Sequence, residues 1–197
     1  MTLQRIRLLL WLLVALAVAG MAVLLVRQSG RQASTTEAVA IGGPFTLTDS
    51  NSLPFSSVKL AGRPFAIFFG FTHCPDVCPT TLARLARLRV QLGKGEDSFA
   101  ILFVTVDPER DEPQEVGRYT ALFNTPVIGL TGSPAQINQV KKQFGVFSQK
   151  VEQPGAEYSV DHTAATFLFG PDGKFVATIS PEEGDAAALA KLKRITG

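Results

Sequence analysis

From Pro64 to Phe71 every residue is apolar or glycine, and the chain's two cysteines follow almost at once in Thr72-His73-Cys74-Pro75-Asp76-Val77-Cys78-Pro79. An unbroken apolar run of this length is what a central strand, covered on both faces, requires. Pro79 is tolerated in the first turn of a helix and not inside one, so the helix announced by Leu82, Leu85, Leu88 and Leu92 begins close to Cys78. Both sulfurs are thereby placed where a buried strand hands over to a helix N-terminus. Unpaired backbone N–H groups and the positive end of the helix dipole favour thiolate there. A disulfide closing so short a ring would add little stability, which makes the pair a chemical site rather than a staple. Two uses stay open: thiol–disulfide exchange and the binding of a soft metal ion such as Cu(I). The three-residue spacer is one longer than that of thioredoxin-type oxidoreductases.

The hydrophobic period switches repeatedly along the rest of the chain. Phe45 and Leu47 alternate with threonines as a short half-buried strand; Phe99 to Val106 reads as a second buried strand and Pro113 to Phe123 as a helix. Val127 to Leu130 is a short strand, and Ser133-Pro134 opens a helix burying Ile137, Val140 and Phe144, with Lys141 and Lys142 on its solvated face. Ala164 to Phe169 and Lys174 to Ile179 flank Gly170-Pro171-Asp172-Gly173 as a hairpin, and Glu182 to Ile195 closes the chain as a helix. This order predicts an α/β fold, a thioredoxin-like sandwich with a mixed central sheet. Phe68, Phe69 and Phe71 belong to its core, with Phe71 placed to shield the cysteines from water.

Ahead of that domain, Leu8 to Val26 contains no charge and no proline. At about 1.5 Å per residue it is long enough to cross a hydrocarbon core of roughly 30 Å, and one N-terminal transmembrane helix is expected. A cleaved leader ending near Ala17-Val18-Ala19 is the competing reading, but the apolar run continues well past that point. Arginines flank the run on both sides, so charge bias does not orient it. Residues 1–27 are read as anchor, 28–43 as a flexible polar linker and 44–197 as a single domain with a proper core. The anchor segment takes three of the nineteen basic residues and no acidic one, leaving sixteen against seventeen. A nearly neutral domain offers no basic face for nucleic acid.

A dithiol becomes a metal centre when a third ligand converges on it. Both methionines, Met1 and Met21, lie in the anchor, and there are two histidines. His73 adjoins Cys74 and is expected at the surface near the site. His162, in Tyr158-Ser159-Val160-Asp161-His162-Thr163, precedes the strand from Ala164, where a loop can fold over the cysteines; a buried structural histidine is the competing reading. Asp161 can orient such an imidazole or merely end a turn. Asp107, Arg110 and Asp111 follow the second buried strand, either as internal ion pairs or as a docking surface.

Gly70-Phe71-Thr72-His73-Cys74-Pro75-Asp76-Val77-Cys78-Pro79 resembles the signature of the Sco/SenC family of membrane-anchored copper proteins. Three further segments agree in order: Val106-Asp107-Pro108-Glu109-Arg110-Asp111, Val160-Asp161-His162-Thr163 and Gly170-Pro171-Asp172-Gly173-Lys174. The resemblance covers most of residues 44–197. It implies a thioredoxin-like domain on the exported, periplasmic side of the cytoplasmic membrane, holding copper as Cu(I) and Cu(II) through Cys74, Cys78 and His162. Asp161 and Asp107 would act beside the ligands or in docking. It further implies a metallochaperone rather than an enzyme, delivering copper to the binuclear site of the copper-bearing subunit of cytochrome c oxidase or reducing that site's cysteines. Other copper or thiol-redox proteins are implied as partners. Two other classes stay distinct: a membrane-anchored thiol–disulfide oxidoreductase or redox sensor, in which the cysteines form a disulfide bond and His162 is dispensable, and a peroxidase, for which Thr72 before the motif is the one encouragement.

Overall fold

The computed structural model describes residues 3–31, 41–155 and 157–197, in two units, residues 1–39 and residues 40–197. In the first, α1 spans Leu3–Arg31, with side chains such as Trp11, Leu13, Leu16 and Met21 exposed. Among the described residues no helix is long and apolar enough to cross a membrane; the side chains of Leu8, Leu9, Leu25 and Val26, the ends of the expected span, lie outside them. Of the expected linker, Gln28–Arg31 are helical and residues 32–40 lie outside the described residues.

The second unit is an α/β sandwich. Its strands are β1 (Thr46–Asp49), β2 (Pro54–Ser56), β3 (Phe65–Gly70), β4 (Ala100–Thr105), β5 (Val127–Thr131), β6 (Ser148–Val151), β7 (Ser159–His162), β8 (Thr166–Phe169) and β9 (Phe175–Ile179). Its helices are α2 (Val77–Leu92), α3 (Pro113–Thr120), α4 (Pro134–Phe144) and α5 (Asp185–Thr196). Seven strands form one mixed sheet in the order β2-β1-β5-β4-β3-β8-β9, while β6 and β7 pair with each other as a separate ribbon. β3, β4 and β5 run parallel, and β8 joins β3 antiparallel, opposing Phe65 to Phe169 and Phe68 to Thr166. β3 and β4 are buried at every position, as their unbroken apolar sequences demand, because helices cover both faces of such strands.

Helix boundaries follow local chemistry. Ser133 and Gln136 form a reciprocal capping box at the start of α4, with Pro134 at its first position. α2 stops at Gly93, whose φ of 67° allows its N–H to return to the Val90 carbonyl. Leu82, Leu85 and Leu88 face the core, and α2 packs against α5. Every strand and helix read from the hydrophobic period is present; β2, β6 and β7 are additions. The segment holding Asp161 and His162, expected as a loop, is strand β7, with Ser148 opposite His162 and Gln149 opposite Asp161.

A candidate metal centre at the end of the central strand

The site lies beyond the C-terminal end of β3, where parallel strands leave a crevice. After Phe71 the chain makes a tight turn, with the Cys74 N–H donating to the Phe71 carbonyl at 3.2 Å. Cys78 then falls in the first turn of α2, its backbone N–H donating to Cys74 Sγ at 3.4 Å. Cys78 is closed to solvent and Cys74 partly open. A side chain at Gly70 would not fit: its Cβ would stand 2.7 Å from Cys78 Sγ.

The third arm comes from the ribbon. His162 Nε2 lies 3.5 Å from Cys78 Sγ, and Nδ1 lies 3.1 Å from the Thr163 carbonyl. A carbonyl only accepts, so the hydrogen-bond pattern assigns the ring proton to Nδ1 and directs the Nε2 lone pair at the sulfurs. Phe68 and Phe71 meet the imidazole edge to face, each with centroids 5.9 Å away. Cys74, Cys78 and His162 thus bring two sulfurs and a nitrogen within 4.8 Å of one another. Asp161 takes no part in orienting the ring; adjacent strand residues face opposite sides, and it is exposed. His73 is exposed as expected, 3.0 Å from Thr72 Oγ1.

The two thiols titrate as a pair. The Cys78 thiol donates toward Cys74, and this bond, helped by the Cys78 backbone N–H against the opposing effect of burial, holds Cys74 down to about 4. The same bond and burial push Cys78 above the ordinary thiol range, so one proton is retained on the buried sulfur. Because the folded value of Cys74 lies below its unfolded value near 9, its contribution to stability is complete above the unfolded value and is lost as pH falls through about 4. Alkylation of the metal-free chain by iodoacetamide is therefore expected at Cys74 alone, with a rate nearly flat from neutrality down to pH about 5 and falling below about 4. Peptide mapping against pH checks this; a rate that halves near the ordinary thiol value would contradict it.

In the segment after β4 two carboxylates point inward while Glu109 and Glu112 are exposed. Asp107 and Asp111 have no exposed side-chain surface. Asp111 accepts from the Thr72 N–H at 3.0 Å, the Thr72 hydroxyl at 2.6 Å and the Thr105 hydroxyl at 2.6 Å. Asp107 accepts from Arg110 Nε at 2.6 Å and from the Tyr158 hydroxyl at 2.9 Å. Asp107 and Arg110 form an internal ion pair, and the Asp107 carboxylate is fully buried. Tyr158, Gly70 and the Thr163 carbonyl went unread in the sequence; Gly70, the one non-apolar position before Phe71, carried the strongest available signal.

Residues 33–197 match the family model described as SCO1/SenC. The chain belongs to the SCO1/SenC family. Among curated relatives of this SCO1/SenC protein, the mitochondrial protein SCO2 of Saccharomyces cerevisiae is 36% identical over 158 residues, covering 79% of this chain and 52% of its own length. The chain spans about half the length of the curated relatives it first matches. A solved structure of Bradyrhizobium japonicum ScoI with copper bound is 42% identical, with TM-score 0.72 over 79% of this chain and 99% of its own. BsSco, described as having a disulfide switch and as a member of the Sco family of cytochrome c oxidase assembly proteins, is 25% identical, with TM-score 0.62 over 80% of this chain and 94% of its own. The fold of the second unit is thioredoxin-like, as the element order predicted.

Proposed function

We propose that this SCO1/SenC protein binds one copper ion through Cys74 Sγ, Cys78 Sγ and His162 Nε2 and hands it to the copper-bearing subunit of cytochrome c oxidase. The observation that carries the reading is the convergence of two sulfurs and an imidazole nitrogen whose other nitrogen is tied to the Thr163 carbonyl. Two thiolates and an imidazole satisfy three-coordinate Cu(I), and a further donor completes a tetragonal Cu(II) site. Copper entry displaces the proton from Cys78, and the half-open Cys74 is the edge from which a recipient's ligand takes the cargo. Asp161, exposed on the face of β7 opposite His162, offers a recipient a carboxylate for docking. The uncharged run Leu8–Val26 anchors the domain on the exported side of the cytoplasmic membrane, which fits a helix whose apolar side chains are exposed.

His162→Ala tests the ligand set. In the full-length chain it should weaken Cu(II) binding at least by the roughly 10–100-fold seen when groups that merely position an imidazole are removed. It should also abolish the nitrogen hyperfine coupling in the Cu(II) paramagnetic resonance spectrum. Unchanged affinity and coupling would remove His162 from the site.

Thiol exchange is the second reading, favoured by an accessible Cys74 thiolate beside a buried Cys78 thiol. Cys74 would attack a partner's disulfide, expelling one partner thiolate. Cys78, losing its proton, would then displace the other, leaving a Cys74–Cys78 disulfide and a reduced partner. This activity should survive His162→Ala.

A further inference from the structure

One short turn grips both halves of the metal centre. Residues 106–112, between β4 and α3, hold the cysteine loop through Asp111, which accepts three hydrogen bonds, two of them from Thr72, two residues ahead of Cys74. The same turn holds the β6–β7 ribbon through Arg110. Its Nη1 donates to the Tyr158 carbonyl at 2.9 Å while its Nε donates to Asp107, which also accepts from the Tyr158 hydroxyl. The guanidinium lies over the Tyr158 ring, 3.7 Å from its centroid, and 5.8 Å from the centroid of Phe71, whose ring in turn meets His162.

The ribbon needs such a hold. Among the described residues β6 and β7 pair only with each other and take no place in the seven-stranded sheet. β6 is largely exposed, and Val160 is the buried residue of β7. His162 stands at the ribbon's base, four residues before Thr166, which opposes Phe68 in the main sheet; the other end, where Ser159 opposes Val151, is held by side-chain contacts to Tyr158. A buried carboxylate and a part-buried guanidinium contribute little net stability once desolvation is counted, but the two matched donors, Nε on Asp107 and Nη1 on the Tyr158 carbonyl, fix the orientation of the fork although Nη2 has no partner.

We propose that Arg110, seated on Asp107, is a positioning residue that latches Tyr158 and so holds His162 Nε2 at the sulfurs. This rests on the copper reading above. Releasing the latch leaves the dithiol intact and lets the imidazole move away, which makes the ribbon the part of the site that yields when copper is passed on.

Arg110→Lys keeps the charge but cannot present the planar fork that reaches Asp107 and the Tyr158 carbonyl together. Tyr158→Phe keeps the ion pair and removes the hydroxyl alone, a milder change should the first destabilise the domain. Two measurements on full-length protein decide the matter. In the metal-free chain, amide hydrogen exchange across residues 157–163 should quicken about tenfold in Arg110→Lys and less in Tyr158→Phe, with β3 and β4 unchanged. In Cu(II) titrations, Arg110→Lys should weaken binding by about tenfold with reduced nitrogen hyperfine coupling. Placed in the His162→Ala background, the same substitution should change affinity by no more than about twofold.

Wild-type exchange and affinity in both variants would overturn the latch. So would an equal loss of affinity with and without His162, because the residue would then act through the cysteines or through general stability. If His162→Ala itself leaves copper binding unchanged, the ligand set is wrong, and the hydrogen-exchange comparison decides the latch without it.

Discussion

Replacing Cys78 with serine is expected to abolish tight copper binding while leaving a folded domain. Structural zinc sites of four protein ligands bind with roughly 10–16 kcal/mol, so one ligand of a comparable soft set carries about 3–4 kcal/mol, on the order of 10²–10³ in affinity. The loss at Cys78 should exceed that share. Its sulfur is the one that approaches His162 Nε2, and its thiol and backbone N–H together hold Cys74 as the thiolate. With serine at 78 the thiol donor is replaced by a hydroxyl on a shorter bond, the soft ligand is gone, and Cys74 rises toward the ordinary thiol range. Anaerobic titration with a competing chelator reads the affinity, and thiolate ultraviolet absorbance against pH reads the Cys74 shift. Retention of tight binding by Cys78→Ser would mean that copper is held elsewhere.

Gly70→Ala should damage fold and site together. The added Cβ would meet Cys78 Sγ at 2.7 Å, Phe68 Cε1 at 2.9 Å and Phe103 Cε2 at 3.0 Å, and all three residues are fully buried. None has open space behind it. Cys78 backs onto His162, while Phe68 and Phe103 pack on each other with centroids 6.5 Å apart. Overpacking of this kind costs about 1–3 kcal/mol, and a contact with three immobile neighbours belongs at the upper end. For a domain of this size that lowers the melting temperature by roughly 6–12 °C. Because the least constrained way out is a shift of the sulfur, copper affinity should fall as well, which an ordinary core lesion remote from β3 would not cause. Calorimetry with and without copper separates the two effects; a melting temperature within about a degree of wild type would show that the crevice relaxes freely.

The central sheet was legible because its residues carry their own signal. β3 and β4 are continuously apolar, α2 and α4 repeat their leucines and other apolar residues at helical spacing, and Ser133-Pro134 announces a helix start. The ribbon was not legible. Ser148-Gln149-Lys150-Val151 and Ser159-Val160-Asp161-His162 bury little, so no alternation of apolar and polar residues marks them, and what holds them together is backbone pairing and contact with a distant turn. Cys74 and Cys78 announced a site through their spacing and their place after a buried strand, whereas His162 stood out through scarcity and through family resemblance. The roles of Asp107 and Asp111 depend on burial, which five nearby polar and charged residues in sequence do not disclose. Their partners Tyr158 and Thr72 are 51 and 39 residues away along the chain.

The most direct test of the account is X-ray absorption at the copper edge on the full-length chain loaded with one equivalent of Cu(I), repeated on His162→Ala. Two sulfur scatterers and one imidazole nitrogen in the wild type, with loss of the imidazole signal alone in the variant, is the result expected from Cys74, Cys78 and His162. A shell of three or more sulfurs, more than Cys74 and Cys78 supply, or an imidazole signal unaffected by His162→Ala, would contradict it.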